Sequence, residues 1–199
     1  MSERASLRVA DDGRARCGWV GDDAEYRRYH DEEWGHPLHG DRELFEKIAL
    51  EGFQAGLSWI TILRRRPTFR AAFRDFALDE VAAFDAADVE RLMADPGIIR
   101  NRAKIEATIS NARITRELVA DDPGALDRLV WSFAPPPAPR PATRPATLGD
   151  IPAVTPEATA LSRALKKHGF RFVGPTTMYA LMQSAGLVDD HVSGCWRVG

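Results

Sequence analysis

Thr155 to Gly186 reads TPEATALSRALKKHGFRFVGPTTMYALMQSAG, and its punctuation decides the fold. Thr155 is a good N-cap, Pro156 suits the first helical turn, and Glu157 faces the positive end of the helix dipole. Leu161 and Leu165 share one face of that helix, which ends at Gly169. Phe170-Arg171-Phe172-Val173-Gly174 is a tight connection bounded by glycines. Pro175 opens a second helix through Met178, Leu181 and Met182, closed by Gly186. The stretch of about 156–186 is therefore predicted as helix, hairpin, helix. It carries Arg163, Lys166, Lys167 and Arg171 with no acidic residue between Arg163 and Arg171. A charge run alone is more often a solvated face. Joined to a glycine-bounded turn ahead of a helix N-terminus, it offers backbone N–H groups and a dipole to a phosphate, a contact that reads no base sequence.

The rest of the chain is also helical in its periodicity. Arg42–Glu51 carries Leu44, Phe45, Ile48 and Ala49, and Gly52 weakens that helix near its end. A run with Leu57, Trp59, Ile60, Ile62 and Leu63 is predicted to stop at Arg64-Arg65-Arg66-Pro67. Short helices are expected at Thr68–Phe73, Asp79–Phe84, Asp88–Met93 and Leu126–Trp131, and a longer one from about Asn101 to Leu118. No strand-period alternation extends beyond a few residues. Six of the thirteen prolines lie in the segment 134–147, an extended connector. The fold class is all-α, with one domain over 16–199 and residues 1–15 as a flexible extension.

The 199 residues can bury a sizeable core without disulfides. No apolar run approaches the ~20 residues of a membrane span, and the N-terminus lacks a signal-peptide core, so a cytoplasmic monomer is expected. The net charge of −2 excludes a uniformly basic protein. The charge is nevertheless segregated. Asp11 to Glu51 holds twelve acidic and six basic residues, whereas Arg64–Arg66, Arg100–Arg113 and Arg163–Arg171 are basic. A polyanion binder with one basic face has this pattern.

Two cysteines lie near opposite ends of the sequence. His191 and Cys195, four apart, can reach one metal, and Cys17 with His30 would complete a Cys2His2 set suited to Zn²⁺. The spacing of Cys17 and His30 is not that of a zinc-finger pair. Two buried thiols with ordinary histidines is the plainer alternative; a disulfide is disfavoured in the cytoplasm. Trp19, Tyr26, Tyr29, Trp34 and Trp59 cluster in sequence around Glu51. Glu51 projects from the apolar face of its helix, three residues after Ile48. A carboxylate among aromatic walls can accept hydrogen bonds from a flat, electron-poor ligand. A partly exposed glutamate beside core aromatics explains the same pattern.

Read together, Arg16-Cys17-Gly18-Trp19, Tyr29-His30-Asp31-Glu32-Glu33-Trp34-Gly35, Leu50–Trp59, Gly97-Ile98-Ile99-Arg100, Phe170–Gly174 and Asp190-His191 with Cys195 resemble the bacterial DNA-3-methyladenine glycosylase I family. The resemblance spans nearly the whole chain. It implies a helix–hairpin–helix DNA glycosylase with a structural Zn²⁺ on Cys17, His30, His191 and Cys195, joining the N- and C-terminal segments. It implies that Glu51 recognises the adenine edge, that Tyr29 and Trp59 stack on the base, and that Trp19 and Trp34 complete the walls. Gly56 and Leu57 would sit near the space left by the flipped nucleotide, and Lys167, Arg171, Val173 and Gly174 would meet the DNA. Asp190 is a candidate either for steadying the sugar cation or for supporting His191. The expected activity is monofunctional hydrolytic removal of 3-methyladenine from alkylated double-stranded DNA, without strand cleavage. The rival reading is a zinc-stapled DNA-binding module without catalysis.

Overall fold

The computed structural model describes residues 6–136 and 144–197. Half of the predicted connector, 137–143, lies outside the described residues, as do residues 1–5 of the expected extension. Nine α-helices occur among the described residues: α1 (Ala24–Glu32), α2 (Asp41–Gln54), α3 (Trp59–Ala72), α4 (Leu78–Ala83), α5 (Ala86–Ala94), α6 (Arg102–Val119), α7 (Ala125–Trp131), α8 (Pro156–Lys167) and α9 (Pro175–Ser184). None is long and apolar enough to cross a membrane.

The centre is α2, buried at every position from Leu44 to Phe53. It packs against α3, α6, α7 and α9. Phe45, Phe53, Phe69, Phe73 and Phe76 fill the space beside it, with Phe73 and Phe76 stacked at 5.4 Å. Each buried phenylalanine contributes roughly 2–3 kcal/mol of transfer free energy, which is why this helix tolerates charged residues on its flanks.

Two expectations fail locally. The helix predicted to end before Pro67 continues through it to Ala72. Pro67 cannot donate to the Leu63 carbonyl and costs roughly 3 kcal/mol in a helix interior. Ile62, Leu63, Phe69 and Ala72 on either side of it are all buried, and their burial outweighs that cost. The expected flexible extension also contains structure. β1 (Leu7–Val9) pairs antiparallel with β2 (Ala15–Cys17), Leu7 opposite Cys17. Three-residue strands are too short to leave a period-2 signature.

This hairpin is fastened to α1 by Arg16, whose side chain is only 5% exposed. Its guanidinium donates to both Asp31 oxygens, at 2.6–3.0 Å, and to both Asp12 oxygens, at 2.7 and 2.9 Å. Asp31 in turn accepts from the Trp196 indole at 3.1 Å, which ties in the C-terminal segment. A second apolar cluster of Cys17, Val20, Tyr29, Trp34, Leu63, Val192 and Cys195 lies where the two ends of the chain meet.

Helices α8 and α9 form as their termini predict. Thr155 caps α8 by accepting from the Ala158 N–H at 3.1 Å, and Pro156 and Pro175 occupy first turns. Gly169 adopts φ 94°, a left-handed conformation that ends α8 and turns the chain.

Candidate functional site

Five of the aromatics and Glu51 do meet. Trp19, Tyr26, Tyr29, Trp34, Trp59, Glu51, Gln54, Ile151, Ala180, Gln183 and Ser184 line a cavity of about 210 Å³. The wall is built edge to face: Trp19 meets Tyr26 at 5.5 Å and Trp34 at 5.2 Å. Tyr29 and Trp59 lie 5.6 Å apart with planes tilted by 44°, so no third ring fits between them; the surface they offer is the one that faces the cavity. The Trp59 indole N–H is buried and has no hydrogen-bond partner among the described residues. The Tyr26 hydroxyl accepts from the Ile60 N–H at 2.9 Å and fixes the start of α3.

Glu51 is 3% exposed, so the partly exposed alternative is excluded. The helix continues three residues beyond it, to Gln54, which keeps it inside the last turn. Ser184, at the end of α9, donates to Oε1 at 3.1 Å, and the Lys47 ammonium lies 3.3 Å from the same oxygen. Burial pushes the Glu51 carboxyl above its ordinary range, against the opposing attraction of Lys47. Lys47 and Ser184 were not legible as site residues. Lys47 stands four before Glu51, which in isolation reads as a solvated i,i+4 pair. Ser184 is remote in sequence, and only the fold brings it there.

The hairpin packs on α2 at Gly52, the residue after Glu51. A side chain at Gly52 would come within 3.3 Å of the Phe172 Cβ, so the glycine after Glu51 lets the hairpin approach α2. Phe172 itself sits at φ 57° and is 38% exposed. Its backbone is held by Asn111 of α6, which donates to the Arg171 carbonyl at 3.0 Å and accepts from the Arg171 N–H at 2.9 Å. Ser162 donates to the Val173 carbonyl at 2.6 Å. Asn111 was missed because nothing in its own neighbourhood marks it. Gly174 precedes α9 with no side-chain cap, leaving the first N–H groups of that helix to solvent or an anion. Val173 is fully buried, backbone included, and its carbonyl is taken by Ser162, so the DNA-contacting role expected of it is not borne out; its part is to pack the hairpin.

Arg163, Lys166, Lys167 and Arg171 are exposed and make no ion pair among the described residues. The other basic runs are largely committed to the fold. Arg64 pairs with Asp23, Arg66 with Glu33 at 2.5 and 2.8 Å, and Arg65 donates to the Pro96 carbonyl. Lys104 donates to the carbonyls of Phe53 and Ala55, and Arg113 to those of Ala82 and Phe84. The free positive charge thus concentrates on the hairpin. Leu57, beside the left-handed Gly56 (φ 84°), is 41% exposed on the loop between α2 and α3.

At the chain ends, ligand atoms of Cys17, His30 and Cys195 lie within 4.8 Å of one another, all buried. The Cys195 sulfur is 3.4 Å from His30 Nε2. His191 is not within that group, although its ring centroid is 5.1 Å from that of His30. Both imidazoles are oriented by carboxylates at Nδ1: Asp31 at 2.8 Å for His30, Asp189 at 2.8 Å for His191. Each therefore turns Nε2 inward, and His191 Nε2 is buried without a partner among the described residues. Two thiols and two inward imidazole nitrogens, carboxylate-supported, are the chemistry of a closed tetrahedral metal site. Asp189, not Asp190, supports His191. Asp190 accepts from the Tyr179 hydroxyl at 2.5 Å and from Gln183 Nε2 at 2.8 Å.

Known proteins resemble this chain in sequence and fold. Residues 19–198 match the family model described as methyladenine glycosylase. The chain is 51% identical over 180 residues to DNA-3-methyladenine glycosylase 1 of Escherichia coli (strain K12), covering 90% of this chain and 95% of that protein. It is 45% identical, over 90% of its length and 96% of the relative's, to DNA-3-methyladenine glycosylase of Haemophilus influenzae. A crystal structure of 3-methyladenine DNA glycosylase I superposes with a TM-score of 0.84 at 49% identity, covering 91% of this chain and 98% of that one. A variant of such an enzyme in complex with 3-methyladenine superposes with a TM-score of 0.81 at 35% identity, over 89% and 94% of the two chains. The chain belongs to the methyladenine glycosylase family.

Proposed function

We infer that this chain is a monofunctional DNA-3-methyladenine glycosylase, a base-excision repair enzyme acting as a monomer on alkylated double-stranded DNA in the cytoplasm. The observation that carries the reading is the buried Glu51 carboxylate at the wall of an aromatic cavity beside an unpaired basic hairpin. The target base is inaccessible in the stack and is extruded. Hairpin N–H groups, Lys167 and Arg171 grip the backbone, and Leu57 stands near the vacated space. Adenine methylated at N3 is cationic. It packs against Tyr29 and Trp59 within walls of Trp19 and Trp34, and its exocyclic amine donates to Glu51. Ser184 and Lys47 occupy Oε1, which leaves Oε2 for the ligand.

The bond from C1′ to N9 then breaks. Its electron pair moves to the base and neutralises the positive charge, so the leaving group needs no proton. Water bonds to C1′ of the oxocarbenium-like sugar and releases a proton. The Asp190 carboxylate is committed to Tyr179 and Gln183, and its part is to orient Gln183 at the cavity wall. Cys17, His30, His191 and Cys195 would hold Zn²⁺. The ion supplies a structural clasp between the chain ends and no chemistry at the sugar. The purified protein is expected to carry one zinc per chain, and metal analysis finding none would remove the ligand set.

The test is release of 3-methyladenine from alkylated DNA by the wild type and by Glu51→Gln under single-turnover conditions. Loss of release with DNA binding retained supports the assignment. Undiminished release by Glu51→Gln sinks the recognition role. DNA binding with no release by the wild type makes the chain a binding module instead.

A further inference from the structure

Lys47 is a buried ammonium that neither the walls nor the hairpin explains. It is 8% exposed and lines a second cavity of about 260 Å³, which shares Tyr29, Trp59 and Ser184 with the first. It therefore stands behind the recognition wall, outside the lining of the aromatic cavity itself. From there its Nζ touches three of the groups proposed to meet the base. It donates to the Tyr29 hydroxyl at 3.0 Å, lies 3.3 Å from Glu51 Oε1, and sits 4.0 Å from the centroid of the Trp59 ring.

We propose that Lys47 is a positioning residue for base recognition: its ammonium holds the Glu51 carboxylate and both stacking rings from behind and supplies the counter-charge that favours the ionised carboxylate. The inference rests on the reading of Glu51 as the base-recognising group. A buried carboxylate without a counter-charge takes up a proton and loses the acceptor that the exocyclic amine needs. Lys47 is the charged side chain that opposes this at Glu51. From α1, Tyr29 presents its hydroxyl, while Glu33 is occupied by Arg66 of α3 and by Arg28. From α9 come the uncharged Ser184 and Gln183. Lys104 of α6 turns instead to the Phe53 and Ala55 carbonyls, and Asp127 of α7 to His39 and Gly40. Arg42, Arg66, Arg70 and His36 share the second cavity with Lys47 but turn to Glu43, Glu33, Glu46 and Arg197 respectively, which leaves Lys47 as the cation facing Glu51.

The experiment is the pH profile of single-turnover 3-methyladenine release by the metal-loaded wild type and by Lys47→Met, a variant close in shape and without charge. The acid limb is expected to move up by a pH unit or more in Lys47→Met. That corresponds to a tenfold or larger loss at acid pH which narrows as the pH rises. An acid limb in the wild-type position overturns the proposal, whatever the overall rate. A second measurement needs no variant. The chain has four lysines, so ¹⁵N-lysine labelling resolves each side chain. The Lys47 nitrogen is expected to be an ammonium at pH 7.5 and to stay one above pH 9; a neutral amine at pH 7.5 overturns the proposal even if Lys47→Met does not fold. If Glu51→Gln is inactive while the Lys47→Met limb is unmoved, this inference alone fails. If Glu51→Gln excises normally, the reading beneath it fails too.

Discussion

Replacing Arg16 with methionine isolates the fastening between the N-terminal hairpin and α1. Methionine keeps much of the stem's apolar contact and removes the guanidinium, so the loss reports the polar contacts. The Asp12 pair is solvent-exposed and is assigned no share of the loss. The Asp31 pair is different: Arg16 is 5% and Asp31 15% exposed, and three N···O contacts of 2.6–3.0 Å join them. Breaking one partner of a buried pair costs about 3–5 kcal/mol. Asp31 keeps its contacts with His30 and Trp196, which brings the loss below that range, to about 2–3 kcal/mol. For a chain of this size that is roughly 5–10 °C in Tm. Urea denaturation of Arg16→Met, Asp31→Asn and the double variant is expected to give a coupling energy of at least ~1.5 kcal/mol. The three proteins should be compared both metal-loaded and after chelation. Losses that add within ~0.5 kcal/mol, or a loss seen only after chelation, would refute the view that Arg16 and Asp31 fasten the hairpin independently of the metal ligands.

Two further outcomes follow from the same structure. Asn111→Ala removes both hydrogen bonds to the Arg171 backbone; it should cost about 1–2 kcal/mol, speed amide exchange at Arg171 and weaken DNA binding, and unchanged exchange at Arg171 would show that the clamp is not what holds the hairpin. Glu33 is buried enough for burial to raise its pKa, but Arg66 and Arg28 outweigh that and hold it below the usual 4.5. A depressed carboxylate stabilises the fold above its unfolded pKa and loses that contribution as pH falls through the folded one. The wild type should therefore exceed Glu33→Gln by about 1 kcal/mol at neutral pH, with the gap closing below pH 4.5; a gap that persists in acid contradicts the ion-pair account.

What could be read in advance follows from the range of each interaction. Helices α8 and α9 were legible because their caps, prolines and glycines act within a few residues. The aromatic cavity was legible as a composition but not as a geometry: Glu51 and Trp59 were identified, while Gln183 and Ser184 come from the far end of the chain. Lys47 shows the limit most clearly. Its spacing from Glu51 is a common surface pattern, and only the burial of α2 on all sides turns it into an interior pair. Pro67 was misjudged for the same reason, since local chemistry predicts a stop and tertiary burial overrides it. The β1–β2 hairpin depends on Arg16 and on partners in α1 and the C-terminal segment, none of which a short strand reveals.

The meeting of Cys17 with Cys195 has a consequence for when the enzyme comes into being. Trp19 and Trp34 are synthesised well before Gln183, Ser184 and Cys195. The cavity therefore has no walls in a partly made chain. The central helices can condense around α2 during translation, but the base-binding surface closes in a final step spanning nearly the entire sequence. Incomplete chains produced by interrupted synthesis would present the basic hairpin to DNA, if at all, without a formed pocket. Formation of the cavity is thus tied to contacts between segments that are among the most distant in the described sequence.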